Sequence, residues 1–201
     1  MVEFDDELVK KLVMGMLSQG IAPAELFEKG LIPGMKEVGE RFARKEYFVP
    51  EVLMASEAFY AGFDLVNPLI KSSDRKAKGK IVMGVVEGDI HDIGKNIVKI
   101  MLEASGYEVV DLGKDVPITR FIETAAKEKP QVLALSSLMT TTMLKMGDVI
   151  QGLQKKGLRK GIKVIVGGAP VNQDFADKIG ADAYGEDAAA AMKVVDNLLR
   201  P

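Results

Sequence analysis

The chain has 201 residues, enough for one large domain or two small ones, and 47% are hydrophobic, so a sizeable core is available and global disorder is excluded. Lys+Arg 27 against Asp+Glu 29 leaves a net charge of -2, with 6% aromatics and no Trp, the wrong balance for a partner of nucleic acid or anionic lipid. Cys is absent, which removes disulfides, zinc–cysteine sites, iron–sulfur clusters and thiol nucleophiles together; any metal must be met by oxygen or by the single His.

The N-terminal run MVEFDDELVKK is acidic and lacks the apolar stretch of a signal peptide. No apolar run is long enough to span a bilayer, so the expected location is cytoplasmic. Leu8, Leu12, Val13 and Met16 recur at helical spacing and predict a first helix ending at Gly20. Leu26 and Phe27 predict a short second helix stopped by Gly30, and Met35, Val38 and Phe42 a third. The longest starts at Pro50, a favourable first-turn residue, and carries Val52, Leu53, Ala55, Phe59, Phe63 and Val66. Four short helices with tight connections predict a small antiparallel bundle over residues 1–73.

The polar run KSSDRKAKGK at 71–80 reads as a connection, with the linker placed at 74–80. Beyond it, in residues 81–201, the period changes. Apolar, β-branched runs at 81–86, 107–111, 131–135, 162–166 and 181–184 alternate with helical patterns near 93–104, 117–128, 142–156, 172–179 and 187–199. This alternation predicts an α/β domain, a doubly wound, flavodoxin-like or Rossmann-like parallel sheet of five strands.

Ligands of such sheets bind outside the carboxyl ends of the strands. The loop after the first strand reads Glu87-Gly88-Asp89-Ile90-His91-Asp92-Ile93-Gly94, so the sole His lies where a ligand is met. Asp89, two residues earlier, is close enough to take the proton on one ring nitrogen, which fixes the tautomer and raises the basicity of the other. Two plainer readings stand beside this: His91 as a polar loop residue, and the Gly-Asp turn as helix capping. A phosphate loop is a poor match, because the glycine spacing of such loops is not present.

Two further features follow at the ends of later strands: Ser136-Ser137-Leu138 and Gly167-Gly168. The series D-x-H-x-x-G, S-x-L and G-G resembles the signature of the cobalamin-binding domain family. The helical region resembles the cap domain of cobalamin-dependent methionine synthase, so the likeness covers nearly the whole chain. The resemblance implies that His91 is the lower axial ligand of cobalt, displacing the base of a cobalamin or related corrinoid, with Asp89 hydrogen-bonded behind it. It places the displaced nucleotide tail beside Ser136, Thr140 and Gly167-Gly168, where glycine leaves room against backbone and hydroxyls satisfy polar atoms. Gly88, Ile90, Asp92, Gly94, Leu138 and Ala188 join the same cofactor-binding set. The serine that extends the family's histidine–aspartate relay falls on Thr142. In the helical region the resemblance sets Phe42 and Val49 over the upper corrin face and Glu28 in contact with cofactor; Val49 stands where the family has leucine. Plain bundle core is the other reading of Phe42 and Val49, and an ordinary strand-to-helix turn that of the glycine pair.

The function so implied is that of a corrinoid carrier protein. It would shuttle a methyl group on cobalt between a substrate-specific methyltransferase and a second methyltransferase, with a corrinoid-reactivating protein as a further partner. No substrate barrel, folate module or activation domain is expected in this length, so the chain is a subunit of a methyltransferase system rather than a complete enzyme. An adenosylcobalamin mutase subunit shares the histidine motif but not the helical cap. A cobalamin sensor would need a DNA-binding module for which this acidic chain has no room.

Overall fold

A computed structural model describes residues 2–70 and 77–200. The chain packs as two units, Met1–Ala77 with Ile100–Gly106, and Lys78–Lys99 with Tyr107–Pro201. Residues 74–76 of the expected linker lie outside the described residues, and its last residue, Lys80, already belongs to a strand.

In the first unit, α1 (Asp6–Ser18) starts where the Asp5 carboxylate accepts the Leu8 N–H at 2.8 Å. Asp6 and Glu7 in the first turn face the positive end of the helix dipole. α2 (Pro23–Leu26) leads into a π-helical turn, Phe27–Leu31, and directly on into α3 (Ile32–Ala43). The expected stop at Gly30 is therefore not made. The reason lies three residues later. Pro33 has no N–H and would clash with the carbonyl of Lys29 in a regular α-helix. The widened turn, in which Ile32 N–H reaches back to the Phe27 carbonyl, absorbs that mismatch without breaking the helix. α4 (Val49–Val66) has Pro50 in its first turn, and the Glu51 carboxylate accepts the Phe48 N–H at 2.9 Å. It buries Val52, Ala55, Ala58, Phe59 and Val66.

In the second unit strands and helices alternate as the sequence pattern requires: β1 (Lys80–Val85), α5 (Ile93–Ala104), β2 (Glu108–Asp111), α6 (Ile118–Glu128), β3 (Val132–Ser136), α7 (Leu144–Lys155), β4 (Lys163–Gly167), α8 (Gln173–Ile179), β5 (Ala183–Gly185) and α9 (Ala188–Leu198). All pairings are parallel, in the order β2-β1-β3-β4-β5. Ile81 to Val85 are buried along β1 and Val132 to Leu135 along β3, the continuous apolar reading of strands covered on both faces. Phe121 from α6 and Ile150 and Leu153 from α7 close the core against Val82, Leu133 and Val164. The short edges, β2 and β5, limit exposed strand backbone.

This order positions the site. The chain leaves β1 toward β2 on one side of the sheet and resumes at β3 on the other. The loops following β1 and β3 therefore part at their carboxyl ends, opening a crevice at the switch point.

Candidate functional site: a buried carboxylate behind one histidine

The loop after β1 turns Asp89 inward until it has no exposure at all. A buried carboxylate is costly unless its lone pairs are met by donors, and here both oxygens are. Oδ1 accepts the His91 N–H at 3.0 Å and lies 2.8 Å from His91 Nδ1. Oδ2 accepts the Leu138 N–H at 2.7 Å, the Met139 N–H at 3.3 Å, and the hydroxyls of Ser137 and Thr142, each at 3.0 Å. Those hydroxyls stand 2.8 Å apart, and both also reach the Met139 carbonyl, at 3.2 and 3.1 Å. Each carries one hydrogen, so the two cannot serve Asp89, each other and the carbonyl all at once. They form a small relay in which the hydrogens can be redistributed.

Burial alone would push the Asp89 carboxyl up. The N–H groups of His91 and Leu138, the His91 ring and the Thr142 hydroxyl outweigh it and hold the group well below the usual carboxylate range. An ionised carboxylate only accepts, so Nδ1 of His91 carries the proton and donates it. In that tautomer the lone pair of the ring lies on Nε2. The His91 side chain is 46% exposed. The loop thus offers one oriented nitrogen to an incoming ligand.

Beside it lies a cavity of about 550 Å³ at the carboxyl ends of the strands. Its walls include Met83, Ala134, Leu135, Ile165 and Val166, residues that read in the sequence as ordinary strand core. Of the residues singled out from the sequence, Ile90, His91, Asp92, Gly94, Ser136, Leu138, Gly167, Gly168 and Ala188 line it. Asp89 and Thr142 lie buried beneath the histidine loop, and Gly88 turns that loop with φ of 86°. Thr140 is exposed and is not part of the cavity lining, so the structure does not bring it together with Ser136 and the glycines.

The glycine pair has an internal reason as well. A Cβ on Gly168, at φ of 121°, would stand 1.8 Å from the Ser137 carbonyl oxygen, and one on Gly167 would stand 2.9 Å from the Gly185 carbonyl oxygen. Glycine here lets the ends of β3, β4 and β5 close on one another, and the cavity wall is bare backbone at that place.

In the helical unit Glu28 is exposed in the π-helical turn, while Phe42, near the end of α3, and Val49, at the start of α4, are half-buried. Ser137 is the principal member that the sequence did not single out. Its neighbour Ser136 was chosen from the S-x-L run, but Ser136 ends β3 and lines the cavity, whereas Ser137 is buried and bonded to Asp89. The alternation of sides along a strand was the available signal.

Among the described residues no three or more His, Asp or Glu side chains gather as a metal site. One imidazole cannot cage a bare ion. It does fit a metal whose remaining positions are already filled by a macrocycle, and the adjoining cavity has room for an appended group of that macrocycle. Donor set and cavity thus agree with a corrinoid.

The comparisons with known proteins point the same way. The B12 binding domain model matches residues 79–193, and a second B12 binding domain model matches residues 1–67. Trimethylamine corrinoid protein 1 of Methanosarcina mazei is 49% identical over 195 residues, covering 96% of this chain and 90% of that one. The trimethylamine corrinoid protein of Methanosarcina barkeri is 49% identical over 201 residues, covering 98% and 93%. Among solved structures, the methanol:cobalamin methyltransferase complex MtaBC of Methanosarcina barkeri superposes with a TM-score of 0.90 at 37% identity, covering 98% of this chain and 76% of that one. With an oriented histidine nitrogen beside a cavity at the switch point, and with these matches, the chain belongs to the family of B12-binding corrinoid proteins.

Proposed function

We propose that this chain is a methyl carrier of a methylamine-type methyltransferase system. It would hold a corrinoid and present it in turn to a substrate-specific methyltransferase, to a second methyltransferase and to a reactivating protein. The observation that carries the reading is His91, held through Nδ1 by the buried Asp89 with its other nitrogen presented beside the cavity. The names of its relatives, corrinoid proteins for trimethylamine and dimethylamine, support the substrate class.

When bound, the corrinoid supplies a cobalt centre able to accept and release a methyl group; the protein supplies binding, orientation and tuning. His91 would hold the cobalt through Nε2. Asp89 would hold the Nδ1 proton and thereby strengthen the nitrogen opposite. Ser137 and Thr142 would adjust how firmly that proton is held, by supplying or withdrawing a hydrogen bond to Asp89 Oδ2. The cavity, with Ser136 and the bare backbone at Gly167-Gly168, would take the nucleotide tail. Phe42 and Val49 would cover the reactive face, and Glu28 would contact the cofactor's edge.

Reconstitution with cobalt(II) corrinoid tests the reading. The paramagnetic resonance spectrum should show hyperfine splitting from one protein nitrogen in the parent and none in His91→Ala, which keeps its fold. Methylation of an acceptor should require purified methyltransferase partners. Multiple turnovers by the chain alone would make it an enzyme, and conversion of an adenosyl form would make it a mutase subunit.

A further inference from the structure

The end of β2 and the loop that follows it touch the segment Gly88–Lys95 at both of its ends. At the near end the Asp115 carboxylate accepts the Gly88 N–H at 2.7 Å, and the Asp115 N–H donates to the Asp89 carbonyl at 2.9 Å. Asp115 holds φ of 52° to do so, a left-handed conformation that costs a non-glycine residue about 1 kcal/mol. At the far end Lys95 Nζ donates to both oxygens of Asp111, each at 2.6 Å. Asp111 also accepts the Gly113 N–H at 2.9 Å, which ties it into the same loop.

Lys95 is an odd residue for this place. It is 3% exposed, in the first turn of α5, where the helix dipole disfavours a cation. Burying an ion pair of this kind gains little stability over well-packed apolar residues. Burial pushes the Asp111 carboxyl up, and the Lys95 ammonium and the Gly113 N–H more than offset it, so the pair is ionic. Such a pair fixes direction well even where it stabilises poorly. The segment fixed here runs from Gly88 to Lys95 and has His91 at its middle.

We propose that the end of β2 and the loop after it form a two-point clamp on the segment that carries His91, making Lys95, Asp111 and Asp115 positioning residues for that ligand. The inference rests on His91 being that ligand. Asp89 sets which nitrogen of the ring is presented; the clamp sets where the ring stands relative to the cavity.

The test uses the full chain with cobalt(II) corrinoid. The double variant Lys95→Met/Asp111→Asn removes both charges of the buried pair; Lys99, whose Nζ lies 3.7 Å from Asp111, loses that partner but is 30% exposed and stays within reach of water. Asp115→Gly removes the side-chain half of the near contact at an exposed position, keeps the backbone N–H and tolerates the left-handed backbone, while Asp115→Asn keeps an acceptor oxygen there. We expect the double variant and Asp115→Gly to lose roughly 10-fold or more in corrinoid affinity, within the range seen when groups behind a metal ligand are removed. The share of bound corrinoid showing protein-nitrogen splitting should fall in parallel, and Asp115→Asn should restore both. Circular dichroism and thermal melts verify folding; should the double variant not fold, the Asp115 pair decides alone. Parent-like affinity and splitting in the folded variants overturn the clamp. A parent lacking the splitting overturns the ligand assignment and the clamp with it.

Discussion

At the β1–β3 end of the cavity, donors from His91, Ser137, Leu138, Met139 and Thr142 converge on the Asp89 carboxylate. At the β4–β5 end, Gly167 and Gly168 bring backbone against backbone, with no room for a methyl group. The first arrangement specifies direction: it selects which atom of His91 faces outward and is sensitive to any change in the number of donors and acceptors. The second specifies shape, and is sensitive to added atoms. A polar exchange of the same size should therefore damage one end, and a single added carbon the other.

The largest expected effect is at the shape-determined end. Gly168→Ala combines a backbone conformation open only to glycine with a Cβ 1.8 Å from the Ser137 carbonyl oxygen. It should destabilise the second unit by about 3 kcal/mol or more. Because Ser137 also serves Asp89, corrinoid binding should go too. Urea unfolding measures this, and a cost under about 1 kcal/mol would mean that the two strand ends can part freely.

Asp89→Asn adds no volume and tests the other end. The amide must turn its NH₂ toward one set of donors. Facing His91 it would donate to Nδ1, moving the ring proton to Nε2 and blocking ligation; facing Leu138 it would orphan that N–H. A loss of roughly 10- to 100-fold in corrinoid affinity is expected, read by optical titration. Stability should fall by about 1–3 kcal/mol. Affinity equal to the parent would reduce Asp89 to a cap of the loop.

Acid unfolding sharpens the same point. The Asp89 carboxyl titrates lower in the folded chain than its ordinary 3.8. Its contribution is therefore complete above about pH 4 and is lost as pH falls through the folded value, because the unfolded chain takes up the proton first. Asp111 adds a contribution of the same sign. Parent stability should drop more steeply below pH 4 than that of Asp89→Asn, and parallel curves would deny Asp89 this part.

Smallest is Thr142→Val, which keeps shape and removes one of several donors to Asp89 Oδ2. It should cost about 1 kcal/mol, and Thr142→Ser should stay near the parent. Thermal melts of the two variants suffice; a loss in Thr142→Ser with none in Thr142→Val would mean that the methyl group, not the hydroxyl, matters there.

The alternation of apolar period along residues 81–201 sufficed for the five parallel strands and their helices, and the spacing around His91 for the ligand loop and its carboxylate. Both are local properties: period reports which face of an element is buried, and Asp89 and His91 are two residues apart. Even locally the sequence misleads at Gly30, where the helix continues because Pro33 is accommodated by a π-helical turn. Of the hydroxyl partners of Asp89, Thr142 is reached only through the family resemblance, and Ser137 by no local pattern. Ser137 and Thr142 lie 48 and 53 residues further on, in the loop after β3. Asp115 lies 27 residues beyond Gly88, after β2. Only the strand order β2-β1-β3-β4-β5 sets those loops side by side. Composition and spacing determined that the one histidine stands, with a carboxylate two residues away, in the loop at the carboxyl end of the first strand. Tertiary structure decided which hydroxyls and carboxylates aim it, because hydrogen bonds depend on angstrom-scale placement that residue spacing along the chain does not encode.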